Sequence, residues 1–472
     1  MEFAAGCYDR AMEQRSLDYI CEAVSGRLNG PGSGIVTGIS TDSRTVREGD
    51  CFIAVTGEKF DGHTFVGDAL KKGAAALMLG HDRIPEAGLT GPIITVADTR
   101  RALGQLAARY RNDFQVPVIA VAGSNGKTTT KELIASVLRQ KFATLWSEAS
   151  FNNDIGVPLT LLKLEGRHEA AIFELGTNHP GELAPLIRMV QPQIGVITSI
   201  GREHLEYFGD VAAVAEEEGW LAELLPTSGT LFINGDSEWA PVIAQRTRAK
   251  TVLVGLGPNN EWRASQTTVQ DNGVVFTVNA THTRYSGQYS VQLLGAHQVT
   301  NALLALAVGA RLGLEPEELR RGLAMAERPK MRLQLWEKNG IRVLDDAYNA
   351  NADSMLAALQ TLRDLPAEGR RIAVLGDMAE LGESTQTAHR EVGRRAAELG
   401  IDKLFTVGQW ANETGAAARA AGMEDVCICP DVALVIEKLK EFVQPGDLLL
   451  LKGSRVAALE RVGAALSNSC KV

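Results

Sequence analysis

The sequence lacks any apolar run that could cross a membrane as a helix. Such a helix needs about 18–20 consecutive apolar residues, and the tightest run, from Leu448 to Leu451, stops at Lys452. The chain also lacks an excess of basic residues, since 48 Lys and Arg stand against 57 Asp and Glu, for a formal charge of −9. That balance argues against a dedicated nucleic-acid binder. The N-terminus shows no basic segment followed by an apolar stretch, so we expect no secretory signal.

Cysteine is scarce and scattered. The six cysteines, at positions 7, 21, 51, 427, 429 and 470, form no CxxC pair and show no metal-ligand spacing to histidines. Free thiols in a reducing compartment fit this pattern, so we expect a cytoplasmic protein. Repeats and low-complexity tracts are absent, and 45% hydrophobic with 22% charged residues argues against a disordered or fibrous chain.

The pattern of apolar runs separates three regions, which agrees with 472 residues at roughly 150 residues per domain. Region 1–97 has short β-rich pieces and one helical stretch, and 98–327 alternates apolar strands with helical segments. Region 328–472 repeats the strand–helix alternation after the proline-containing break at 325–332. Apolar strands alternating with helices are typical of parallel sheets covered on both faces. We therefore predict an α/β protein of three domains with these bounds.

The sharpest local motif is GSNGKT, which follows the apolar strand ending at Ala122 and precedes a helix. Glycines let backbone N–H groups converge on phosphate oxygens, and the helix N-terminus adds its positive dipole end. Lys127 is expected at the β/γ-phosphates and the Thr128 hydroxyl on Mg²⁺. Val121 replaces the first glycine of the longer P-loop pattern. The alternative is a tight turn with a solvated lysine, but the order of the parts favours a nucleoside triphosphate site.

Two further residues are candidates for metal ligands at the carboxyl ends of strands. Glu174 ends the strand AAIFE, and His204 lies in the loop after IGVITSI; such strand ends are where α/β proteins bind ligands. The acidic run at 216–218 is interpreted as a solvated helix face. Asn152 and Asn153 are interpreted as a polar turn that caps local backbone.

Polar residues also follow two strands of the third region. DDAYNANADSM, from Asp345 to Met355, offers groups for a ribose, a phosphate or a carbonyl, although Asn351, Asp353 or Ser354 could simply cap the next helix. LLLLKGSR, which ends at Arg455, places a Lys-Gly-Ser-Arg turn before a helix and suits an anion or carboxylate.

Taken together, these motifs resemble the Mur ligase family of ATP-dependent amide-bond-forming enzymes over essentially the whole chain. The segments that carry the likeness are GISTDSRTVREGDCFIAVTGEKFDGHTF, GSNGKTTTKEL, FNNDIGVPLTLL, FELGTNHPGE, IGREHLEYFG, GAHQVTNALLAL, DDAYNANADSM, LGDMAELGE with the later His389, and LLLKGSR. Gln298 replaces the usual asparagine of the GxHNxxNALA segment. The likeness favours the member that adds D-alanyl-D-alanine, and it implies a UDP-binding first domain, a P-loop ATPase-like second and a Rossmann-like third.

The resemblance also implies roles for individual residues. ATP would contact Gly123, Ser124, Asn125, Gly126, Lys127, Thr128, Thr129, Asn301, Arg332, Asp346, Tyr348 and Asn349. The UDP-sugar substrate would contact Thr41, Asp42, Ser43, Arg44, Asn152 and Asn153. The dipeptide would contact Asn351, Lys452, Ser454 and Arg455, while Mg²⁺ would bind Thr128, Glu174, His204 and Glu218. The residues expected in catalysis are Lys127, Glu174, His204, Glu218 and Arg332.

Glu218 marks a departure from the family. Family members carry a lysine here that is carbamylated and approaches a second Mg²⁺, and Trp220 stands where an acid is common. We hypothesise that the Glu218 carboxylate supplies the negative charge of the carbamate. The competing interpretation is a weakened metal site and a slow or inactive enzyme.

The implied reaction joins a UDP-N-acetylmuramoyl-tripeptide to D-alanyl-D-alanine through an acyl phosphate, with ATP and Mg²⁺ as cofactors. We expect a monomer without nucleic-acid or membrane partners, and a hinge at 325–332 that closes the third domain. Three alternatives stay open: a sister ligase that adds one amino acid or acts on folate or another peptide, a pseudo-ligase that binds without catalysis, and an ordinary P-loop ATPase.

Overall fold

The structure, a computed structural model, describes residues 12–30, 32–57, 60–83 and 91–467. Cys7 and Cys470 lie outside these ranges, and Cys21, Cys51, Cys427 and Cys429 are free thiols, as expected. The chain forms two compact units. One comprises residues up to 120, 142–177 and 183–194, and the other comprises 121–141, 178–182 and 195–472.

The N-terminal part is a small mixed α/β region. Its helix of residues 99–111 begins after Asp98, whose carboxylate accepts the N–H groups of Arg100 and Arg101 and so caps the helix. The elements are β1 Arg15–Ser16, α1 Leu17–Val24, β2 Arg27–Asn29, β3 Ile35–Val36, β4 Gly38–Ser40, β5 Asp50–Ile53, α2 Val66–Lys71, β6 Ala76–Gly80, β7 Ile93–Val96 and α3 Thr99–Arg111. The sheet has the order β2-β7-β6-β5-β4, with β2 antiparallel to β7 and the other pairs parallel.

The middle part alternates strands with helices. The elements are β8 Val118–Ala122, α4 Lys127–Leu138, β9 Thr144–Trp146, α5 Gly156–Leu161, β10 Ala170–Glu174, α6 Leu183–Val190, β11 Ile194–Ile197, α7 Leu205–Phe208, α8 Val211–Glu218, α9 Trp220–Glu223, β12 Thr230–Asn234, α10 Ala240–Ala244, β13 Lys250–Gly255, β14 Trp262–Gln270, β15 Gly273–Ala280, β16 Gly287–Val291, α11 Gln298–Arg311 and α12 Pro316–Ala324. The strands form a sheet of the order β16-β15-β14-β13-β12-β11-β8-β10-β9. Pairs β12–β13 and β9–β10 are parallel, whereas β14, β15 and β16 form an antiparallel extension.

The C-terminal part again alternates strands with helices. The elements are β17 Gln334–Lys338, β18 Ile341–Asp346, α13 Ala352–Asp364, β19 Arg371–Leu375, α14 Thr385–Glu398, β20 Lys403–Val407, α15 Ala411–Ala420, β21 Val426–Cys429, α16 Val432–Phe442, β22 Leu448–Lys452 and α17 Glu460–Ser467. The strands form a sheet of the order β17-β18-β22-β19-β20-β21, parallel except for the edge strand β17. Asp346 and Leu375 both align with Lys452, so the carboxyl ends of three strands meet at one edge.

The burial of the strands explains why the apolar runs of the sequence predict the fold class. Every residue of β8, β10 and β22 is buried, as expected for parallel strands covered by helices on both faces. The predicted α/β class with parallel-sheet domains is confirmed. Nowhere in the described ranges is a helix both long and apolar enough to span a bilayer.

Candidate active site

The GSNGKT segment forms the predicted strand–loop–helix turn, since β8 ends at Ala122 and α4 begins at Lys127. Gly123 and Gly126 have φ of 115° and 86°, which disfavours other residues. A Cβ at Gly123 would lie 2.6 Å from the Thr198 Oγ1, and one at Gly126 would lie 2.7 Å from the Asn301 Oδ1. Both glycines are therefore required by the backbone conformation and by close neighbours.

Hydrogen bonds to Ser199, which follows β11, hold the loop in place. The Ser124 N–H donates to the Ser199 carbonyl at 2.8 Å, and the Asn125 N–H donates to the Ser199 Oγ at 2.8 Å. Asn301 is buried, accepts from the Thr130 hydroxyl and donates to Gln298. Asn301 thus supports the start of α4. Thr128 and Thr129, in the first turn of α4, are also buried.

Lys127 folds over its own loop toward an acid that the sequence reasoning missed. Its Nζ donates to the Gly123 carbonyl at 2.5 Å and lies 3.3 Å from the Glu203 Oε2. Burial raises the pKa of Glu203, and the positive charge of Lys127 opposes that rise. The available signal was an acidic residue directly before His204 in IGREHLEYFG.

Glu218 is fully buried and lies against the loop. Its Oε2 accepts the Gly123 N–H at 2.7 Å, and its Oε1 has no hydrogen-bond partner among the described residues. Burial raises the pKa of Glu218 to about 8, although Lys127 acts in the opposite direction. A carboxyl group with this environment beside a loop lysine is a functional-site candidate.

The interpretation of 216–218 as a solvated face is wrong for two of its three residues. Glu216 is exposed, but Glu217 and Glu218 are buried, and Glu217 accepts the Gly181 N–H at 2.9 Å. The reason is helical spacing: Glu218 is four residues beyond the buried Val214 and therefore lies on the same face of α8.

His204 precedes α7 and contacts a residue from the C-terminal part of the same compact unit. Its Nδ1 lies 2.5 Å from the Glu380 Oε2, and its Nε2 lies 4.0 Å from the Glu203 Oε2. The hydrogen bond from His204 lowers the pKa of Glu380. His204 is thus held between two carboxylates, one beside the loop lysine and one from LGDMAELGE.

Further contacts connect this region to α13 and α14. The Arg202 guanidinium lies 2.7 Å from the Asp353 Oδ1 and 2.5 Å from the Glu391 Oε2. The Asn351 amide donates to the Asn125 Oδ1 at 3.0 Å, which brings a predicted dipeptide-binding residue to the phosphate loop. Asn351 also caps α13 together with Ser354, so the capping alternative is confirmed for these two, whereas Asp353 instead binds Arg202.

Residues around Glu174 lie in the other compact unit. Glu174 ends β10, is 1% exposed and accepts a hydrogen bond from the Asn152 amide at 2.9 Å. Asn153 accepts the N–H groups of Ile155 and Gly156, so the capping interpretation is confirmed for Asn153. It is wrong for Asn152, whose amide reaches across to the end of β10.

The predicted uridine-binding segment is also in this unit. Thr41, Asp42 and Ser43 are partly exposed, and the exposed Arg44 guanidinium binds the Asp42 carboxylate at 2.7 Å. Hydrogen bonds from Arg44 lower the pKa of Asp42. The segment therefore presents a carboxylate–guanidinium pair at the protein surface.

A second cluster forms at the carboxyl edge of the C-terminal sheet. Lys452 is 2% exposed, and its Nζ lies 2.6 Å from the Asp346 Oδ2 and 3.1 Å from the Asn349 carbonyl. The Tyr348 ring faces two guanidinium groups, with the Arg332 carbon 4.3 Å and the Arg455 carbon 5.6 Å from its centroid. The structure thus brings these predicted residues together. Ser454 turns away from them and donates to the Asp377 carbonyl at 2.7 Å.

The acidic groups suit a cation that is bound jointly with phosphate. No three Asp, Glu, His or Cys side chains of the described ranges are close enough to bind a metal by themselves. Mg²⁺ in phosphate-transfer sites takes one or two protein carboxylates together with substrate oxygens and water. The buried Oε1 atoms of Glu203 and Glu218, which lack hydrogen-bond partners within the described chain, fit such a donor set.

A P-loop whose partly buried lysine lies beside buried acids, on a parallel sheet, defines an α/β nucleotide-binding protein. Family models match residues 35–111 (Mur ligase family, catalytic domain), 121–309 (Mur ligase middle domain) and 331–455 (Mur ligase, glutamate ligase domain). The UDP-N-acetylmuramoyl-tripeptide–D-alanyl-D-alanine ligase of Bacillus subtilis (strain 168) is 34% identical over 97% of this chain and 99% of its own length. The chain therefore belongs to the Mur ligase family.

Solved structures agree with this assignment. A crystal structure of MurF from Acinetobacter baumannii is 31% identical and superposes with a TM-score of 0.89 over 97% of this chain and all of that chain. The MurF ligase of Thermotoga maritima in complex with ADP is 25% identical, with a TM-score of 0.78 over 91% of this chain and 96% of that chain. The predicted family and its fold are confirmed.

Proposed function

We propose that this protein is an ADP-forming ligase that joins a UDP-N-acetylmuramoyl-tripeptide to D-alanyl-D-alanine, the last cytoplasmic step of peptidoglycan precursor synthesis. The name of the Bacillus subtilis relative states this pair of substrates, and the match covers nearly the full length of both chains. The structural observation that carries the proposal is Lys127, held beside two buried glutamates on a strand–loop–helix turn.

The chemistry requires activation of a carboxylate. A free carboxylate does not acylate an amine in water, so the tripeptide carboxylate first attacks the γ-phosphate of ATP. The bond between the γ-phosphorus and the β,γ-bridging oxygen breaks, ADP leaves, and the carboxylate becomes an acyl phosphate. The dipeptide amine then attacks the acyl carbon, and phosphate leaves from the tetrahedral intermediate. Two anions meet in the first step, and the Lys127 ammonium stabilises the charge that accumulates there.

ATP and Mg²⁺ are the cofactors of this proposal. Mg²⁺ supplies Lewis-acid stabilisation of phosphoryl oxygens when bound. Thr128, Glu174, His204 and Glu218 are the residues that would hold it. The nucleotide would contact the loop residues 123–129, Asn301, Arg332, Asp346, Tyr348 and Asn349.

The Glu218 carboxylate takes the place of the family's lysine carbamate in this proposal. Its position against the Gly123 N–H puts a negative group at the phosphate loop without any modification. Because burial favours its neutral form, a nearby cation is needed to keep Glu218 ionised, as is general for buried carboxylates. Lys127 supplies part of that charge, and Mg²⁺ would supply the rest.

The remaining assignments follow the same proposal. The UDP substrate would be bound by Thr41, Asp42, Ser43, Arg44, Asn152 and Asn153, and the dipeptide by Asn351, Lys452, Ser454 and Arg455.

The proposal divides the chain into domains of residues 1–97, 98–327 and 328–472, with a hinge at 325–332. Residues 325–333 contain no helix or strand and include Met331 and Leu333 at positive φ. Arg332, between those two residues, would approach the phosphates when the third domain closes.

Phosphate release tests the proposal directly. Purified protein receives Mg-ATP, UDP-N-acetylmuramoyl-tripeptide and D-alanyl-D-alanine, with each omitted in turn, while mass spectrometry follows the pentapeptide product. We expect release that needs all three, and a Lys127→Met variant should be slower by roughly 10²–10³-fold or more, the scale for a charged group at the reacting phosphate. Phosphate release with a single amino acid in place of the dipeptide would indicate a sister ligase. Binding without turnover would indicate a pseudo-ligase.

A further inference from the structure

The loop that carries His204 is docked on the segment that follows β19. The Glu206 N–H donates to the Glu380 carbonyl at 3.0 Å, and the His204 Nδ1 lies 2.5 Å from the Glu380 Oε2. Gly382 has a φ of 52°, and a Cβ there would lie 2.9 Å from the Glu206 Cα. Backbone and side chains of the two segments are therefore fitted closely to each other.

Both members of the histidine–glutamate pair have an uncommon backbone conformation. His204 has a φ of 50° and Glu380 a φ of 60°, in the left-handed region that non-glycine residues rarely adopt. Such residues cost free energy and persist where the surrounding structure imposes them, commonly at functional sites. Two such residues in direct contact indicate that the surrounding structure imposes the conformation of this pair.

The pair determines which nitrogen of His204 faces the phosphate loop. Because Nδ1 is engaged by Glu380, Nε2 points toward Glu203, whose Oε2 lies 4.0 Å from it and 3.3 Å from the Lys127 Nζ. An ionised carboxylate only accepts hydrogen bonds, so Nδ1 carries the proton. In the neutral ring, the Nε2 lone pair then lies on the side of Lys127.

We propose that Glu380 is a positioning residue that holds His204 in the Nδ1-protonated tautomer, with Nε2 available to a divalent cation beside the phosphate loop. Carboxylates that accept the second N–H of a metal-binding histidine orient the ring and strengthen the ligand. The inference rests on the proposed function in taking His204 as a metal ligand. Since Glu380 follows β19 of the C-terminal sheet, docking of that segment sets the tautomer of a histidine on the middle part of the chain.

The first test uses metal-free, full-length protein labelled with ¹⁵N in its histidine rings. His204→Ala identifies the resonances of His204, and ring nitrogen shifts report the tautomer. We expect a protonated Nδ1 in the wild type and a shift toward protonated Nε2, or a mixture, in Glu380→Ala. Glu380→Gln keeps an acceptor oxygen and should retain the wild-type tautomer. The matched control is Glu383→Gln, an exposed acid on the same segment. Unchanged His204 shifts in Glu380→Ala would overturn the inference.

The second test measures the affinity for Mn²⁺ in the presence of ADP, by electron paramagnetic resonance of the free ion. Glu380→Ala should bind Mn²⁺ about 10–100-fold more weakly. Glu391→Gln is the control for looser docking, because it removes a contact of Arg202 in the same region without touching His204. An equal loss in Glu391→Gln would assign the effect to docking and overturn the inference.

His204→Ala separates the two proposals. Weak Mn²⁺ binding by His204→Ala combined with normal binding by Glu380→Ala would overturn the role of Glu380 alone. Normal binding by His204→Ala would overturn the metal role of His204 in the proposed function, and with it the metal-directed part of this inference.

Discussion

At the scale of single residues, the candidate active site is built around a lysine beside two buried glutamates. Lys127 contacts Glu203, while Glu218 holds the Gly123 N–H of the same loop. Burying a charge is costly unless another charge or a hydrogen bond compensates for it. The raised pKa values of Glu203 and Glu218 express that cost, and a bound cation would offset it.

Glu218 leads to a prediction about carbon dioxide. Because its carboxylate needs no carbamylation, phosphate release by the wild type should be the same in CO₂-stripped buffer and in bicarbonate. A Glu218→Lys variant should be slow in stripped buffer and should recover with bicarbonate. The exposed Glu216→Gln on the same helix is the control. Bicarbonate dependence of the wild type would contradict the assigned role of Glu218.

At the scale of elements, a buried histidine on α14 holds the segment that presents Glu380. The His389 Nε2 accepts the Met378 N–H at 3.1 Å, and its Nδ1 lies 2.7 Å from the Thr385 carbonyl. This arrangement requires a neutral ring with the proton on Nδ1, because a protonated Nε2 would face another N–H group. Burial lowers the pKa of His389, which is consistent with a neutral ring.

His389 predicts acid sensitivity. Since its folded pKa lies below the ordinary value near 6.5, its contribution to stability is present above about pH 6.5 and is lost as the pH falls. The slope for one proton is at most about 1.4 kcal/mol per pH unit. His168 and His297 are shifted in the same direction, so the difference between variants is the measured quantity. Thermal unfolding between pH 7 and 5 should show a smaller decline in His389→Gln than in the wild type.

The control for this prediction is His179→Gln, whose ring is half exposed. The decline between pH 7 and 5 is compared among this variant, His389→Gln and the wild type. An equal decline in His389→Gln and the wild type would show that the His389 ring does not resist protonation in the folded protein.

At the scale of the molecule, contacts between residues far apart in the sequence join the middle and C-terminal parts of one compact unit. Arg202 binds Asp353 on α13 and Glu391 on α14, and Asn351 binds Asn125 of the phosphate loop. The connecting segment 325–333 has no regular structure, and the Met325 side chain is exposed. These contacts therefore hold the two parts together in addition to the connecting segment.

Removing the Arg202 contacts should expose the connecting segment 325–333 to protease. We expect trypsin to cleave Arg202→Met after Lys330 or Arg332 severalfold faster than the wild type, because local opening becomes easier. Arg320→Met is the control, since Arg320 binds Glu317 within its own helix. Equal cleavage rates in Arg202→Met and the wild type would contradict this role of Arg202.

Local patterns were sufficient to predict the α/β class and the strand–loop–helix turn at 118–138. The reason is physical: buried parallel strands need continuous apolar runs, and a phosphate loop needs glycines in a set order. Glu174 at the end of β10 also followed from its strand alone. These features depend on neighbours in sequence, so the chain by itself determined them.

Only the tertiary structure decided which polar groups meet. Glu203, Glu380 and Arg202 were not predicted as site residues, because their partners lie far away along the chain: Glu380 is 176 residues from His204. Burial of Glu218 was missed because an acidic run is normally solvated, and the packing of α8 overrides that tendency. The charge and the tautomer of a side chain depend on neighbours in space, and those neighbours are set by folding.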